Sequence, residues 1–244
     1  MSIPTMQYGT WLSIGSPAVA ELAGLCGFDW VLFDLEHGCE SEAAIPNQLR
    51  GLRGSSTRGV VRVGAPHSDQ IARLLDWGAN GIMVPHVNTS AEAEAIVQAA
   101  TYAPRGHRGV SRTVRAFDYG LNLPADNDRP KPLIFTQIET SQAVQNASEI
   151  AGVDGVDVLF VGPADLRFDL RNQSKQDDYL VSLETVIAAA REVGKAAGIL
   201  LLDPAEYAEH RDLGFTYIAV HSDIAILRKA YQQTFADVFQ VSRP

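Results

Sequence analysis

One phrase recurs along the chain: a stretch with helical periodicity, a glycine, then a short apolar run that ends in polar residues. The clearest instances are Gly27-Phe-Asp-Trp-Val-Leu-Phe-Asp34, Gly78-Ala-Asn-Gly-Ile-Met-Val-Pro85, Gly152-Val-Asp-Gly-Val-Asp-Val-Leu-Phe-Val161 and Gly214-Phe-Thr-Tyr-Ile-Ala-Val220. Each glycine suits the left-handed position that closes a helix, and each apolar run suits a strand buried on both faces. Further strands are expected near Gly9 to Leu12, Val60 to Val63, Leu133 to Ile138 and Ala197 to Leu201. Helices with a 3.6-residue period fit around Ala18 to Leu25, Ile71 to Trp77, Ala91 to Ala100, Leu183 to Val193 and Ala205 to Leu213. The closing stretch Ile224 to Phe239 carries an apolar stripe of Ile226, Leu227, Ala230, Tyr231, Phe235 and Val238.

Eight strand units alternating with helices in roughly 250 residues predict one α/β domain over 1–244, a TIM barrel of eight parallel strands. A doubly wound open sheet is the alternative, but it wants a Gly-rich phosphate turn after the first strand. Leu12-Ser-Ile-Gly-Ser-Pro17 stands there instead. Two stretches break the rhythm and read as loops of the functional or mobile kind: Pro104 to Lys131, and the charged run Leu166 to Asp178.

Composition narrows the partners. The formal net charge of −9 comes without a long Lys/Arg run, so nucleic acid and anionic membrane surfaces are poor candidates and small molecules better ones. The two cysteines, Cys26 and Cys39, form neither a disulfide framework nor a zinc-ligand spacing, and no membrane-length apolar run occurs, which fits a cytoplasmic protein.

In a barrel of this kind chemistry gathers at the carboxyl ends of the strands. The polar residues expected there are Trp11; Asp34, Glu36 and His37; Arg62; His86; Gln137 and Glu139; Asp165; Asp203; and His221 with Asp223. Pro132-Leu-Ile-Phe-Thr-Gln-Ile-Glu-Thr140 drives an apolar run into Glu139, and Val156-Asp-Val-Leu-Phe-Val-Gly-Pro-Ala-Asp165 repeats the pattern one strand later, so two neighbouring strand ends offer two acids to one metal ion. Asp203, Ser222 and Asp223 read as helix caps. His67, His107 and His210 read as surface or internally satisfied histidines; His86 either touches substrate or caps the next helix.

The runs Gly9-Thr-Trp-Leu-Ser13, Phe28-Asp-Trp-Val-Leu-Phe-Asp-Leu-Glu-His-Gly38, Val61-Arg-Val63, Leu74-Leu-Asp-Trp-Gly78, Pro104-Arg-Gly-His-Arg-Gly109, Gln137-Ile-Glu-Thr140 and Gly162-Pro-Ala-Asp-Leu166 occur in this order over nearly the whole chain. Together they resemble the metal-dependent class II pyruvate aldolases, the family of 4-hydroxy-2-oxoheptanedioate and 2-dehydro-3-deoxyglucarate aldolases and of macrophomate synthase. The resemblance implies a homo-oligomeric barrel, a hexamer, whose terminal helix (about 223–239) packs on a neighbour. It also implies a divalent ion (Mg, Mn or Co) and cleavage of a 4-hydroxy-2-oxo acid to pyruvate, or a close 2-oxo acid, and an aldehyde through an enolate held by the metal.

By the same resemblance Glu139 and Asp165 are the metal ligands; two carboxylates and water suit a hard cation that keeps open positions. Arg62 corresponds to the arginine beside the keto oxygen, with an ion pair in the barrel mouth as the plainer reading. Gln137, Gly162, Ala164 and Asp165 correspond to substrate contacts, and Trp11 to a pocket wall or a core residue. His37 corresponds to the acid/base histidine and Asp76 to the aspartate that orients it; Glu36 is matched without a role. The two arginines of Ser111-Arg-Thr-Val-Arg-Ala-Phe-Asp-Tyr119 suit an acidic or hydroxylated aldehyde. A related 2-oxo diacid decarboxylase or CoA-ester lyase is the enzymatic alternative, and a barrel-shaped binding protein the non-enzymatic one.

Overall fold

The structure is a computed structural model that describes residues 5–125 and 128–239. Eight parallel strands close into a barrel in sequence order: β1 (Gln7–Leu12), β2 (Trp30–Asp34), β3 (Arg58–Arg62), β4 (Gly81–Val84), β5 (Leu133–Ile138), β6 (Val158–Val161), β7 (Ala196–Leu201) and β8 (Tyr217–Ser222), with β8 returning to β1. The expected TIM barrel is therefore present. Between them run α1 (Pro17–Leu25), α2 (Ile45–Gly51), α3 (Ser68–Asp76), α4 (Ser90–Ala100), α5 (Ser141–Gln145), α6 (Ala147–Gly152), α7 (Pro163–Asn172), α8 (Tyr179–Glu192) and α9 (Tyr207–Leu213), and α10 (Asp223–Phe239) follows β8. Each helix returns the chain antiparallel to the strands, so strand ends meet at one mouth while helix ends gather at the opposite end.

Two apolar layers hold this arrangement. Outward-facing strand residues such as Val31, Phe33, Val61, Ile82 and Ile134 pack against the helices, and Trp11, Trp30, Met83, Phe135, Phe160 and Tyr217 fill the barrel interior. Trp30 is fully buried and stacks edge-on to Phe160, with ring centroids 6.0 Å apart. It fits because residue 9 is glycine: a Cβ there would overlap the indole ring. Trp11 belongs to this interior layer, so it is a core residue whose upper face supports Arg62, the guanidinium carbon lying 5.8 Å from its ring centre.

Leu166 to Asp178 differs from the sequence expectation. Most of it is α7, followed by a short 3-10 turn at Gln176–Asp178. Its charge hides a sparse apolar face in which only Leu166 and Leu170, one turn apart, reach the core. Of the loop expected at Pro104 to Lys131, the stretch 104–125 is irregular apart from a kinked 3-10 stretch at Arg115–Gly120, and residues 126 and 127 lie outside the described residues. Thr140 caps α5 by accepting from the Ala143 N–H at 3.1 Å, and the helical stretch after it breaks at Asn146 into α5 and α6. Asp203 and Ser222 act as caps, accepting from Ala205 and Ala225 N–H. Asp223 instead ties two segments together, accepting from Ser13 and Ile14 N–H at 2.9 and 3.1 Å. Of α10, only Asp223 is buried, and Ile224, Ile226, Leu227, Tyr231, Val238 and Phe239 are exposed. Among the described residues no helix is long and apolar enough to cross a membrane.

Candidate active site

The mouth is organised by a carboxylate that no local pattern singles out. Asp34 ends β2 and stands in register with Arg62, the last residue of β3. Its Oδ1 accepts from Arg62 Nε at 2.9 Å and its Oδ2 from Arg62 Nη2 at 2.6 Å, a two-pronged pair with the side chains 3% and 9% exposed. The same Oδ1 also accepts the backbone N–H groups of Glu36 and His37, at 3.1 and 3.2 Å. One buried acid thus fixes both the arginine and the turn that carries the histidine. Glu36 adds an ion pair, its Oε2 lying 2.8 Å from Arg62 Nη1 without the alignment of a hydrogen bond. Burial works against the Arg62 charge, but the hydrogen bonds and charge of Asp34, with Glu36 and Glu139, outweigh it and hold the guanidinium above its ordinary range. Each terminal nitrogen keeps a second N–H for another acceptor.

Glu139 follows β5 and is 2% exposed. Its Oε1 accepts from Gln137 Nε2 at 2.9 Å, and its Oε2 from the backbone N–H of His86 at 3.0 Å. The His86 Nδ1 lies 3.2 Å from the same oxygen, and its Nε2 lies 3.6 Å from Glu36 Oε1. His86 reaches this position through a left-handed backbone (φ 55°), a conformation that costs a non-glycine residue roughly 1 kcal/mol or more. The turn is braced by Asn88, whose Nδ2 donates to the His86 carbonyl at 2.9 Å. His86 is therefore a site residue and not a cap; α4 is capped by Thr89.

Gly162, in the turn after β6, lies against the Glu139 carboxyl so closely that a Cβ there would overlap it. Pro163 then opens α7, which brings Ala164 and Asp165 to its first turn at the mouth, both exposed. Burial pushes the Glu139 carboxyl above the usual carboxylate range; the His86 N–H and imidazole pull it back, while the charges of Asp165 and Glu36 push it further up.

This crowding is what a cation relieves. Asp34, Glu36, Glu139 and Asp165 share the mouth with Arg62, and negative charge exceeds positive. Gln137 Oε1 is buried without a partner beside Glu139. Among the described residues no three or more His, Cys, Asp or Glu side chains converge closely enough to enclose an ion. The donor set therefore fits a hard divalent cation on Glu139 and Asp165 with its other positions open, and it does not fit a closed, protein-only metal cage.

The remaining expected residues divide. His37 stands at the rim, 71% exposed, its Nε2 4.0 Å from Glu36 Oε1. Asp76 does not join it within the chain. It is the last residue of α3, at the opposite end of the barrel, where Arg108 Nη2 donates to its Oδ1 at 2.6 Å. A helix that runs antiparallel to the strands cannot bring its last turn to the strand ends. Arg115 is likewise far from the mouth, donating to the carbonyls of Trp77 and Leu49 at 2.7 and 3.0 Å. Asp34 and His86 carry more of the site than sequence reasoning assigned them. Asp34 was visible only as one strand-end acid among several, and the left-handed turn at His86 leaves no mark in composition.

Residues 7–230 match the family described as HpcH/HpaI aldolase/citrate lyase. The chain is 35% identical over 240 residues to a hydroxypyruvate/pyruvate aldolase of Paraburkholderia phytofirmans, covering 95% of this chain and 92% of that protein. It is 37% identical over 238 residues to a 5-keto-4-deoxy-D-glucarate aldolase of Escherichia coli O6:H1, covering 96% and 93%. A crystal structure of an HpcH/HpaI aldolase/citrate lyase family protein from Burkholderia cenocepacia superposes with a TM-score of 0.90 at 32% identity, covering 96% of this chain and 95% of that one. With its closed eight-stranded barrel, the chain belongs to the HpcH/HpaI aldolase/citrate lyase family and is an aldolase, a carbon–carbon lyase.

Proposed function

We propose that this aldolase cleaves a 4-hydroxy-2-oxo acid to pyruvate, or a close 2-oxo acid, and an aldehyde, with a divalent cation held by Glu139 and Asp165. The observation that carries the reading is the buried Asp34–Arg62 fork beside Glu139 at the strand ends, a fixed positive charge next to a carboxylate whose ionised form is stressed by burial and by its acidic neighbours. The names of the relatives, which include pyruvate and keto-deoxy-sugar-acid aldolases, support it.

When bound, the cation supplies Lewis-acid stabilisation of the charge that develops on the 2-oxo oxygen. The chain's residues do the rest. The spare N–H groups of Arg62 face the same oxygen, and a preorganised charge in a dry site is worth far more than in water. The first-turn N–H groups of Ala164 and Asp165 receive the substrate carboxylate, and Gln137 lines that side. His37 takes the proton of the 4-hydroxyl; the O–H electrons form the aldehyde C=O, and the C3–C4 pair moves onto C3 and the 2-oxo oxygen. A proton then returned to C3 releases pyruvate.

A second reading, decarboxylation of a 2-oxo diacid, uses the Arg62 charge and has no need of His37. It is favoured by the contrast between a buried arginine and an exposed histidine. The two separate in variants. Arg62→Ala should lower pyruvate release and oxaloacetate decarboxylation together, by roughly 10²-fold or more. His37→Ala should lower cleavage far more than decarboxylation, because a departing carboxylate itself supplies the electrons. Equal loss of both reactions in His37→Ala would remove the proton-transfer role. We also propose that the exposed stripe of α10 packs on another copy in a homo-oligomer, a hexamer by family likeness; light scattering showing a stable monomer at micromolar concentration would refute this.

A further inference from the structure

We infer that Asn88 is a positioning residue for Glu139: it closes a ring of hydrogen bonds that holds the Glu139 carboxylate in place, and so sets how tightly a cation binds there. The inference rests on the proposed role of Glu139 as a metal ligand. The ring begins at the residue next to Glu139. The Thr140 hydroxyl accepts from the Ala143 N–H and spends its own proton on Asn88 Oδ1, at 2.5 Å. Asn88 Nδ2 then donates to the His86 carbonyl at 2.9 Å, and the His86 N–H donates to Glu139 Oε2 at 3.0 Å. The path thus runs from the backbone beside Glu139, across to the turn after β4, and back onto the Glu139 side chain.

Two features make the ring depend on Asn88. His86 stands in a left-handed backbone (φ 55°), which is unfavourable for a residue with a Cβ and persists only where the surroundings over-determine it. It is in that conformation that its N–H reaches Glu139, and the Asn88 amide is bonded to the carbonyl of the same residue. Asn88 is itself tied down on both sides. Its N–H donates to Glu92 Oε2 at 2.7 Å, and its carbonyl accepts from Asn146 Nδ2 at 2.7 Å, at the break between α5 and α6. The amide therefore works from a fixed backbone, bracing the turn after β4 against the turn after β5. If the His86 N–H is lost, Gln137 Nε2 still holds Oε1, and the carboxylate can pivot about that one bond. Groups that orient a metal ligand in this way typically contribute roughly 10–100-fold to affinity.

Mn²⁺ binding to the full chain, measured by calorimetric titration beside Tm, tests this in wild type, Asn88→Ala, Asn88→Asp, Thr140→Val, the Asn88→Ala/Thr140→Val double variant and Thr89→Ala. Asn88→Asp keeps the acceptor for Thr140 and loses the donor to His86. Thr89→Ala removes the α4 cap one residue away and leaves the ring intact, so it reports destabilisation alone. Both Asn88 variants should weaken Mn²⁺ binding about tenfold. Thr140→Val should weaken it too, and the double variant should bind no more weakly than Asn88→Ala, because the two changes break the same ring. Thr89→Ala should lower Tm while its Mn²⁺ affinity stays within about twofold of wild type. Wild-type affinity in either Asn88 variant would overturn the inference. So would losses that add in the double variant, or a Thr89→Ala chain that binds Mn²⁺ as weakly as Asn88→Ala. Absence of Mn²⁺ binding by the wild-type chain would instead defeat the proposed metal ligands, so the two failures are distinguishable.

Discussion

Replacing Asp34 by asparagine removes one charge from the most buried ion pair of the mouth. The Asp34 and Arg62 side chains are 3% and 9% exposed, so water cannot take the place of the lost oxygen, and the new amide N–H₂ faces guanidinium N–H groups. Breaking a buried pair from one side costs about 3–5 kcal/mol. Glu36 remains 2.8 Å from Arg62 Nη1 and shares the orphaned charge, which puts the expected loss near 3 kcal/mol. For a chain of 244 residues this corresponds to a fall of about 6 °C in Tm. Differential scanning calorimetry at fixed protein concentration reads it, and activity should fall by about 10²-fold as Arg62 and the His37 turn lose their common anchor. Asp34→Leu with Arg62→Met supplies the control, because an apolar pair of similar volume should recover most of the stability while leaving activity lost. An unchanged Tm in Asp34→Asn, or recovered activity in the double variant, would refute the reasoning.

Gly162→Ala puts a methyl group into the Glu139 carboxyl, which is buried and hydrogen-bonded at both oxygens and so moves only by breaking those bonds; turnover should fall at least about tenfold with a drop in Tm, and full activity would contradict the close approach described. Metal affinity measured by calorimetric titration should depend on pH with a definite sign. Since the Glu139 carboxyl is held above the usual range, protons compete with the cation as pH falls toward and through that raised value, so binding should weaken at a higher pH than for an ordinary carboxylate near 4.3, and pH-independent binding down to that value would be the contrary result.

The fold was legible because each strand is a short apolar run closed by polar residues, and the barrel follows from eight of them alternating with helices. The position of Glu139 was legible for the same reason, since an acid directly after an apolar run marks a strand end, whereas Asp165 stands beyond the end of β6, in the first turn of α7. What could not be read was anything set by register between strands. That Asp34 meets Arg62 depends on β2 and β3 pairing residue 34 with 62, a relation that neither segment carries alone. His86 owes its contact with Glu139 to one left-handed residue, and the distance of Asp76 from His37 within the chain was not legible because a motif reports chemistry without saying at which end of the barrel its helix stops. In α7, four apolar residues among ten positions fell below what a hydrophobic pattern distinguishes from a polar loop.

The most direct test of the account is pyruvate release by the purified chain, followed through coupled NADH oxidation by lactate dehydrogenase over a panel of 4-hydroxy-2-oxo acids, before and after exhaustive EDTA treatment and with Mg, Mn or Co restored. The account predicts release from at least one member of the panel, loss of turnover on chelation and recovery on adding the ion, with no recovery in Glu139→Ala. Undiminished turnover in the chelated enzyme, or metal-restored activity in Glu139→Ala, would contradict it.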